Sequence, residues 1–270
     1  MHRIIVFVLL AASAVEAQSV STRMGARASG MGYSSFTLID ELSFFNNVAS
    51  LAWCTSPSLA FAYDLTQALP GANRAATAFA LPTGIGFFGL GAFRFGDDVY
   101  SEQLLSGAFS HRLASASLGI KANWIQYRSV GFESRSTLSI DFSGLMKVTP
   151  AWTVAGGIFN VNQASIVDGE VLPVVFVAGL GWQADGGPLL AMEMEKQLKA
   201  AARMKFGVEI PIQKKLRLRA GFGTAPVSLH GGVGALLQRM ALDFSTSYGE
   251  ALGFSYQASA ALRFRKATSP

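Results

Sequence analysis

Met240-Ala-Leu-Asp-Phe-Ser-Thr-Ser-Tyr248 and Phe254-Ser-Tyr-Gln-Ala-Ser-Ala-Ala-Leu-Arg-Phe264 decide the fold. In both stretches the large apolar side chains fall on even numbers. Successive side chains of a strand point to opposite faces, so each stretch has one apolar and one polar face. The same alternation runs back to about residue 57, without an amphipathic helix to cover the apolar faces. A soluble β-sandwich would bury those faces against a second sheet. A chain of such strands behind an export signal turns them toward lipid instead.

The first residues read as that signal. His2-Arg3 gives a positive start, Ile4 to Ala12 a short apolar core, and Val15-Glu-Ala17 a cleavage site before Gln18. The longest later apolar run, Val171 to Trp182, is broken by Pro173, Gly179 and Gly181, so a membrane-spanning helix is not expected. Hydrophobic content of 50% suits a barrel with a lipid-facing band. One cysteine, Cys54, excludes an internal disulfide framework. The net charge of +5 is spread along the chain and forms no nucleic-acid footprint. No cofactor or metal is expected.

The organisation read from the sequence is a signal peptide (1–17), an N-terminal hatch or plug (18–56), a β-barrel (57–264) and a short tail (265–270). Thr37 to Phe45 is expected to form a helix or turn. The strands are expected at 57–65, 74–82, 84–95, 99–111, 114–127, 134–147, 151–160, 172–184, 188–199, 201–210, 214–224, 227–238, 240–248 and 253–264. Fourteen strands leave about fifteen residues for each strand and its turn, so loops should be short and any plug should come mainly from the N-terminal segment. The expected fold is all-β: a transmembrane antiparallel β-barrel of about 14 strands with a hatch-like N-terminal segment.

The sharpest pattern is 188–222. Even positions are apolar, among them Leu190, Met192, Phe206, Ile210 and Leu218. Odd positions carry Glu193, Glu195, Arg203, Lys205, Glu209, Lys215, Arg217 and Arg219. Turns near Lys199 and Ile212 would set Glu195 beside Arg203, Glu193 beside Lys205, Lys205 opposite Arg219, and Glu209 opposite Lys215. Such cross-strand pairs are worth about 0.2–1 kcal/mol each. The row reads as a neutralised lumen ladder or, alternatively, as an anion-selecting wall centred on Arg217 and Arg219.

Other motifs yield to plainer readings. Gly84-x-Gly86-x-x-Gly89 matches a dinucleotide fingerprint in form, but no helix follows it. His111 and His230 each lie near a serine, Ser110 and Ser228, with no nucleophile elbow or orienting acid to make a catalytic triad. Trp53, Trp124, Trp152, Trp182, Tyr127 and Tyr248 fall near strand ends and read as an interfacial girdle. Gln257-x-Ser259-x-x-Leu262-x-Phe264 resembles the terminal assembly signal of outer-membrane barrels.

Gly25-Ala-Arg27-Ala-Ser-Gly30-Met-Gly32, followed by Asp40 and by Asn46-Asn47-Val-Ala-Ser-Leu51, resembles the start of PorV/PorQ-type proteins. These are a branch of the FadL-like (long-chain fatty acid transporter) outer-membrane superfamily. The chain departs from that pattern at Val48, where proline is common, and at Ser50, where glycine is common. The resemblance implies a fourteen-stranded barrel holding the N-terminal segment as a hatch, with Gly25, Arg27, Gly30, Gly32, Asp40, Asn46 and Asn47 as its motif residues. It further implies a non-enzymatic protein of the Gram-negative outer membrane, accessory to type IX protein secretion or surface attachment. Its partners would then be outer-membrane lipid and secretion-system components or exported proteins. The alternative is a FadL-like channel whose partner is a small hydrophobic ligand.

Overall fold

The computed structural model describes residues 21–69, 71–167, 170–198, 200–250 and 253–265; the expected signal peptide and most of the tail lie outside these. Short helices α1 (Ala26–Gly30) and α2 (Ser43–Asn46) and a 3-10 helix (Val48–Trp53) come first. Strands β1 (Ser58–Thr66), β2 (Arg74–Pro82), β3 (Phe87–Gly96), β4 (Tyr100–Leu113), β5 (Ala116–Ser129), β6 (Arg135–Lys147) and β7 (Trp152–Phe159) follow. After a small hairpin, β8 (Ser165–Val167) and β9 (Glu170–Val171), come β10 (Val175–Gln183), β11 (Leu189–Gln197) and β12 (Arg203–Pro211). The series ends with β13 (Leu216–Gly223), β14 (Ser228–Leu236), β15 (Met240–Gly249) and β16 (Gly253–Arg263). Fourteen of these strands, all but β8 and β9, close into an antiparallel barrel in chain order, with β16 pairing β1. Closure removes the sheet edges that no membrane strand can leave unpaired.

Period-two alternation decides which face each residue takes. Phe61, Leu90, Leu118, Phe142, Met192, Phe206 and Leu242 are exposed on the outer wall, while Ala60, Phe93, Asn123, Glu193 and Ser245 are buried inside. At one end the connections are short, the longest being 184–188, and the N-terminal segment enters β1 there. The other end carries 160–174. Bacterial barrels keep short turns on the periplasmic side, which sets the orientation used below.

The structure corrects several expectations. The N-terminal segment is joined in the lumen by the connection after β7, which buries Ala164 and Leu172 against the same cluster. Strand β3 starts at Phe87, because residues before it form a turn in which Thr83 N–H donates to the Gly86 carbonyl. Glu209 pairs in register with Arg219, and Lys205 with Gly223, because the β12–β13 turn spans 212–215 rather than centring on Ile212. The slip preserves parity, so faces are right and partners are not. Trp53 belongs to the hatch and Tyr127 to the inner face of β5, so neither joins the outer girdle.

Candidate functional site

The N-terminal segment crosses the lumen from the loop end to the turn end. It meets the wall by two kinds of chemistry. Residues 23–37 dock on the charged inner face of β11–β15. Residues 42–53 dock on the apolar, alanine-rich inner face of β1–β3 and on the small and polar residues of β4–β5.

The charged dock has two knots. In the first, Glu193 pairs with Arg23, accepts the N–H groups of Ser35 and Phe36 at 3.0 Å each, and takes Lys205 Nζ at 3.0 Å. Lys205 also reaches Glu195 at 2.5 Å. The Arg23 guanidinium stands 5.5 Å from the ring centre of Phe36 and 5.8 Å from that of Phe159. Its Nη2 finds no partner among the described residues. In the second knot, Arg27 grips Glu209 through two bonds of 2.9 Å and reaches Asp40 at 3.3 Å. Glu209 accepts Arg219 Nε at 2.6 Å, and Arg219 continues to Asp243 at 2.7 Å. Burial opposes the Arg27 charge, but Glu209 and Asp40 outweigh it and hold the guanidinium above its ordinary pKa.

The backbone comes as close as the chemistry allows. Gly32 has φ +66° and sits against β13, where a Cβ would lie 2.9 Å from Phe222 N; Gly221 faces it backbone to backbone. No other residue suits that φ and that spacing together. Gly25 (φ +119°) precedes α1, whose first N–H group, that of Ala26, donates to Ser259 Oγ at 3.2 Å. Gly30 packs on Gly232.

The two asparagines tie the segment to itself. Asn46 Nδ2 donates to the Met24 and Leu42 carbonyls at 2.8 and 3.0 Å, joining the start of the segment to α2. Asn47 Nδ2 donates to the Phe36 carbonyl at 2.7 Å, while its Oδ1 caps Ala49 N–H at 3.0 Å. Buried backbone groups without such partners would cost about 1–3 kcal/mol each.

On the apolar side, Phe44, Phe45, Val48 and Leu51 pack on Ala60, Ala62, Ala78, Phe87 and Phe93. The Phe44 ring covers Gly89 and Gly91, where any Cβ would collide with it. The glycines that mimic a nucleotide motif are thus the floor beneath an aromatic plug.

Of the eight ladder residues, Glu193, Glu195, Lys205, Glu209 and Arg219 enter these knots. Arg203 stands opposite Glu195 in register but donates to the Ala225 carbonyl at 2.8 Å. Lys215 lies in the turn, and Arg217 donates to the Gln213 and Leu216 carbonyls at 2.8 and 3.1 Å. Sequence reasoning missed Arg23, Asp243, the Arg74–Asp64 pair, and Asp141 with Lys121 at 3.3 Å. Asp243 and Asp64 had a readable signal: each is an acid on the inward parity of an alternating strand. Arg23 had none. His230 Nε2 lies 3.1 Å from Ser228 Oγ, but its Nδ1 has no partner among the described residues, so the orienting acid of a triad is missing. His111 is exposed and bonds to the Ile85 carbonyl.

Two cavities flank the hatch. The one at the loop end holds about 400 Å³. Leu104, Ile125, Phe159, Leu172 and Val175 form its apolar side; Arg23, Arg74, Asn123 and His230 are among its polar residues. The one at the turn end holds about 300 Å³ and is lined by the second knot with Glu41 and Arg263.

Beside the larger cavity the strand wall is interrupted. Strand β7 pairs with β6 only over Phe142–Lys147. Above that, the β6 edge is closed by a loop: Val161 N–H donates to the Ile140 carbonyl at 2.8 Å, and the Asn162 side chain bonds Ile140 N–H and the Leu138 carbonyl at 2.9 and 2.8 Å.

The chain as a whole has counterparts of similar fold among solved structures. The CymD monoaromatic hydrocarbon channel matches over 91% of this chain and 98% of its own, with a TM-score of 0.70 at 12% identity. The fold is FadL-like. The Ralstonia pickettii toluene transporter TbuX matches over 91% and 99%, with a TM-score of 0.67 at 13% identity. A Pseudomonas aeruginosa FadL homologue matches over 90% and 98%, with a TM-score of 0.67 at 10% identity. No protein-family model and no curated protein matches the sequence.

Proposed function

We propose that this chain is a non-enzymatic channel of the Gram-negative outer membrane for small hydrophobic compounds, with residues 21–53 as its hatch. The carrying observation is the juxtaposition of the loop-end cavity with the interruption in the wall. Ser139, Asp141, Phe159 and Leu172 line the cavity and sit at that interruption. An apolar compound held by Leu104, Ile125 and Leu172 would have a side exit once the Asn162 bonds open. The similarity to a hydrocarbon channel and a toluene transporter supports this reading. On it, the charged ladder serves to hold the hatch rather than to select anions.

The test is uptake of radiolabelled toluene by Gram-negative cells displaying the full chain, against cells displaying Ile125→Glu. Uptake should exceed the variant about fivefold or more, since an ion in an apolar cavity costs several kcal/mol. Asn162→Ala, which removes both side-chain bonds at the wall, should raise it. Equal uptake in all three would sink the channel reading.

The ion-filled half of the lumen favours a second reading, the PorV/PorQ-type accessory of type IX secretion. In that case the barrel would pass no toluene, and an exported protein or secretion component would co-purify with it.

A further inference from the structure

The described turns at the two ends of the barrel carry opposite charge. Turns at the loop end present Asp97, Asp98, Glu133 and Glu250. Two nearby cations pair with them, Arg94 with Asp98 at 3.9 Å and Arg135 with Glu133 at 3.7 Å. At the turn end, Lys214, Lys215 and Arg239 lie in exposed turns, while Arg112 and Lys147 lie at the last residues of β4 and β6 and Arg217 at the start of β13. None of these six has an acidic partner within ion-pair distance among the described residues, and Asp185 is the one acid in the turns there.

Register shows where they point. Arg112, Lys147 and Arg217 each lie two residues from a buried, lumen-facing neighbour: Ser110, Leu145 and Arg219. They therefore rim the mouth instead of facing lipid headgroups. Arg112 and Lys147 converge on one aromatic ring: the guanidinium is 3.9 Å and the ammonium 4.4 Å from the centre of Trp53. A ring face attracts a cation, but two like charges at one indole repel unless an anion joins them. Arg217 and Arg239 stand across the mouth from this pair, since β13–β15 lie diametrically opposite β5 in the closed order.

We propose that the turn-end mouth is a docking surface for an acidic segment of a soluble protein, whose carboxylates seat on Arg112 and Lys147 at one side and on Arg217 and Arg239 at the other. The spread of cations around the mouth suits a multivalent chain, and a single small anion does not span it. One seat lies against Trp53, the last helical residue of the hatch, so a docked partner would touch the hatch where it leaves the lumen.

The test uses the full chain in neutral detergent and a fluorescein-labelled ten-residue polyglutamate peptide, read by anisotropy. Binding should weaken about fivefold for Arg112→Gln/Lys147→Gln and again for Arg217→Gln/Arg239→Gln. It should persist in Arg112→Lys/Lys147→Arg and fall steeply with salt. The loop-end control Arg94→Gln/Arg135→Gln should bind like the parent. Heat-modifiable gel migration confirms that each variant is a folded barrel. Three outcomes would overturn the proposal: equal loss in the loop-end control, no loss in the mouth variants, or competition by free glutamate at equal carboxylate concentration. Loss of peptide binding when the barrel sits in nanodiscs of anionic rather than neutral phospholipid would assign the cations to headgroups, and would overturn it too.

Discussion

The inner wall over β1–β5 and the inner wall over β11–β15 hold the same hatch by opposite means. The first is apolar where β1–β3 carry Ala60, Ala62, Ala76, Ala78, Ala80, Phe87 and Phe93, with Lys121 and a set of serines on β4–β5, and the hatch packs on it through Phe44, Phe45 and Leu51. The second supplies charges, and the hatch answers with Arg23 and Arg27. Apolar burial is non-directional and tolerates sliding by an ångström or so. Buried ion pairs demand geometry, and they punish loss of one partner far more than they reward the pair. One half of the hatch is therefore packed in place, and the other half is indexed.

Four measurements would break or sharpen that contrast. The largest effect is expected from Glu193→Leu, which takes from buried Arg23 its close partner, leaves Lys205 with Glu195 alone and orphans two backbone N–H groups. It should cost about 3–5 kcal/mol. Hydrogen exchange should then rise across 23–37 while 42–53 stays protected; loss of protection in both halves together would mean that they are one cooperative unit. Phe44→Ala should cost nearly as much, about 3–5 kcal/mol at the upper end, with the pattern of exchange reversed. Asn47→Ala sits at the joint between the halves and takes the side-chain donor from the Phe36 carbonyl, while Ala49 N–H keeps Ser143 Oγ at 3.2 Å. It should lower the unfolding free energy by about 1–3 kcal/mol, seen as a modest drop in thermal midpoint, and an unchanged midpoint would show that the halves dock independently. The smallest effect concerns Cys54, whose thiol is pushed up to about 12 by burial and by Glu41 and Asp40. A raised thiol stays protonated below that pH, so a maleimide reagent at pH 7–8 should label the denatured chain and spare the folded one. Rapid labelling of the folded barrel would show the hatch exit to be open.

Much of this was legible because alternation has a period of two. Asp243, Glu209 and Leu242 can each face only one way once the strand is recognised, so the wall and its polarity followed from the residues. Pairing depends on turn length as well, and Ile212-Gln-Lys-Lys215 carries no glycine or asparagine to mark its centre. The partner of Glu209 was therefore misassigned by four residues, Lys215 in place of Arg219, with parity intact. The hairpin β8–β9 is too short for any period to show. The partners of the hatch were out of reach for a different reason: Arg23 meets Glu193 across 170 residues of sequence, and nothing local to either announces the other.

The bond between Ala26 and Ser259 has a consequence for assembly. Ala26 lies near the beginning of the described chain, and Ser259 lies in β16, the strand that seals the barrel against β1. The inner face of that seam carries the dock for α1, so one strand both closes the ring and seats the start of the plug. A change at Ser259 therefore touches closure and plug together, as a keystone bears on both halves of an arch.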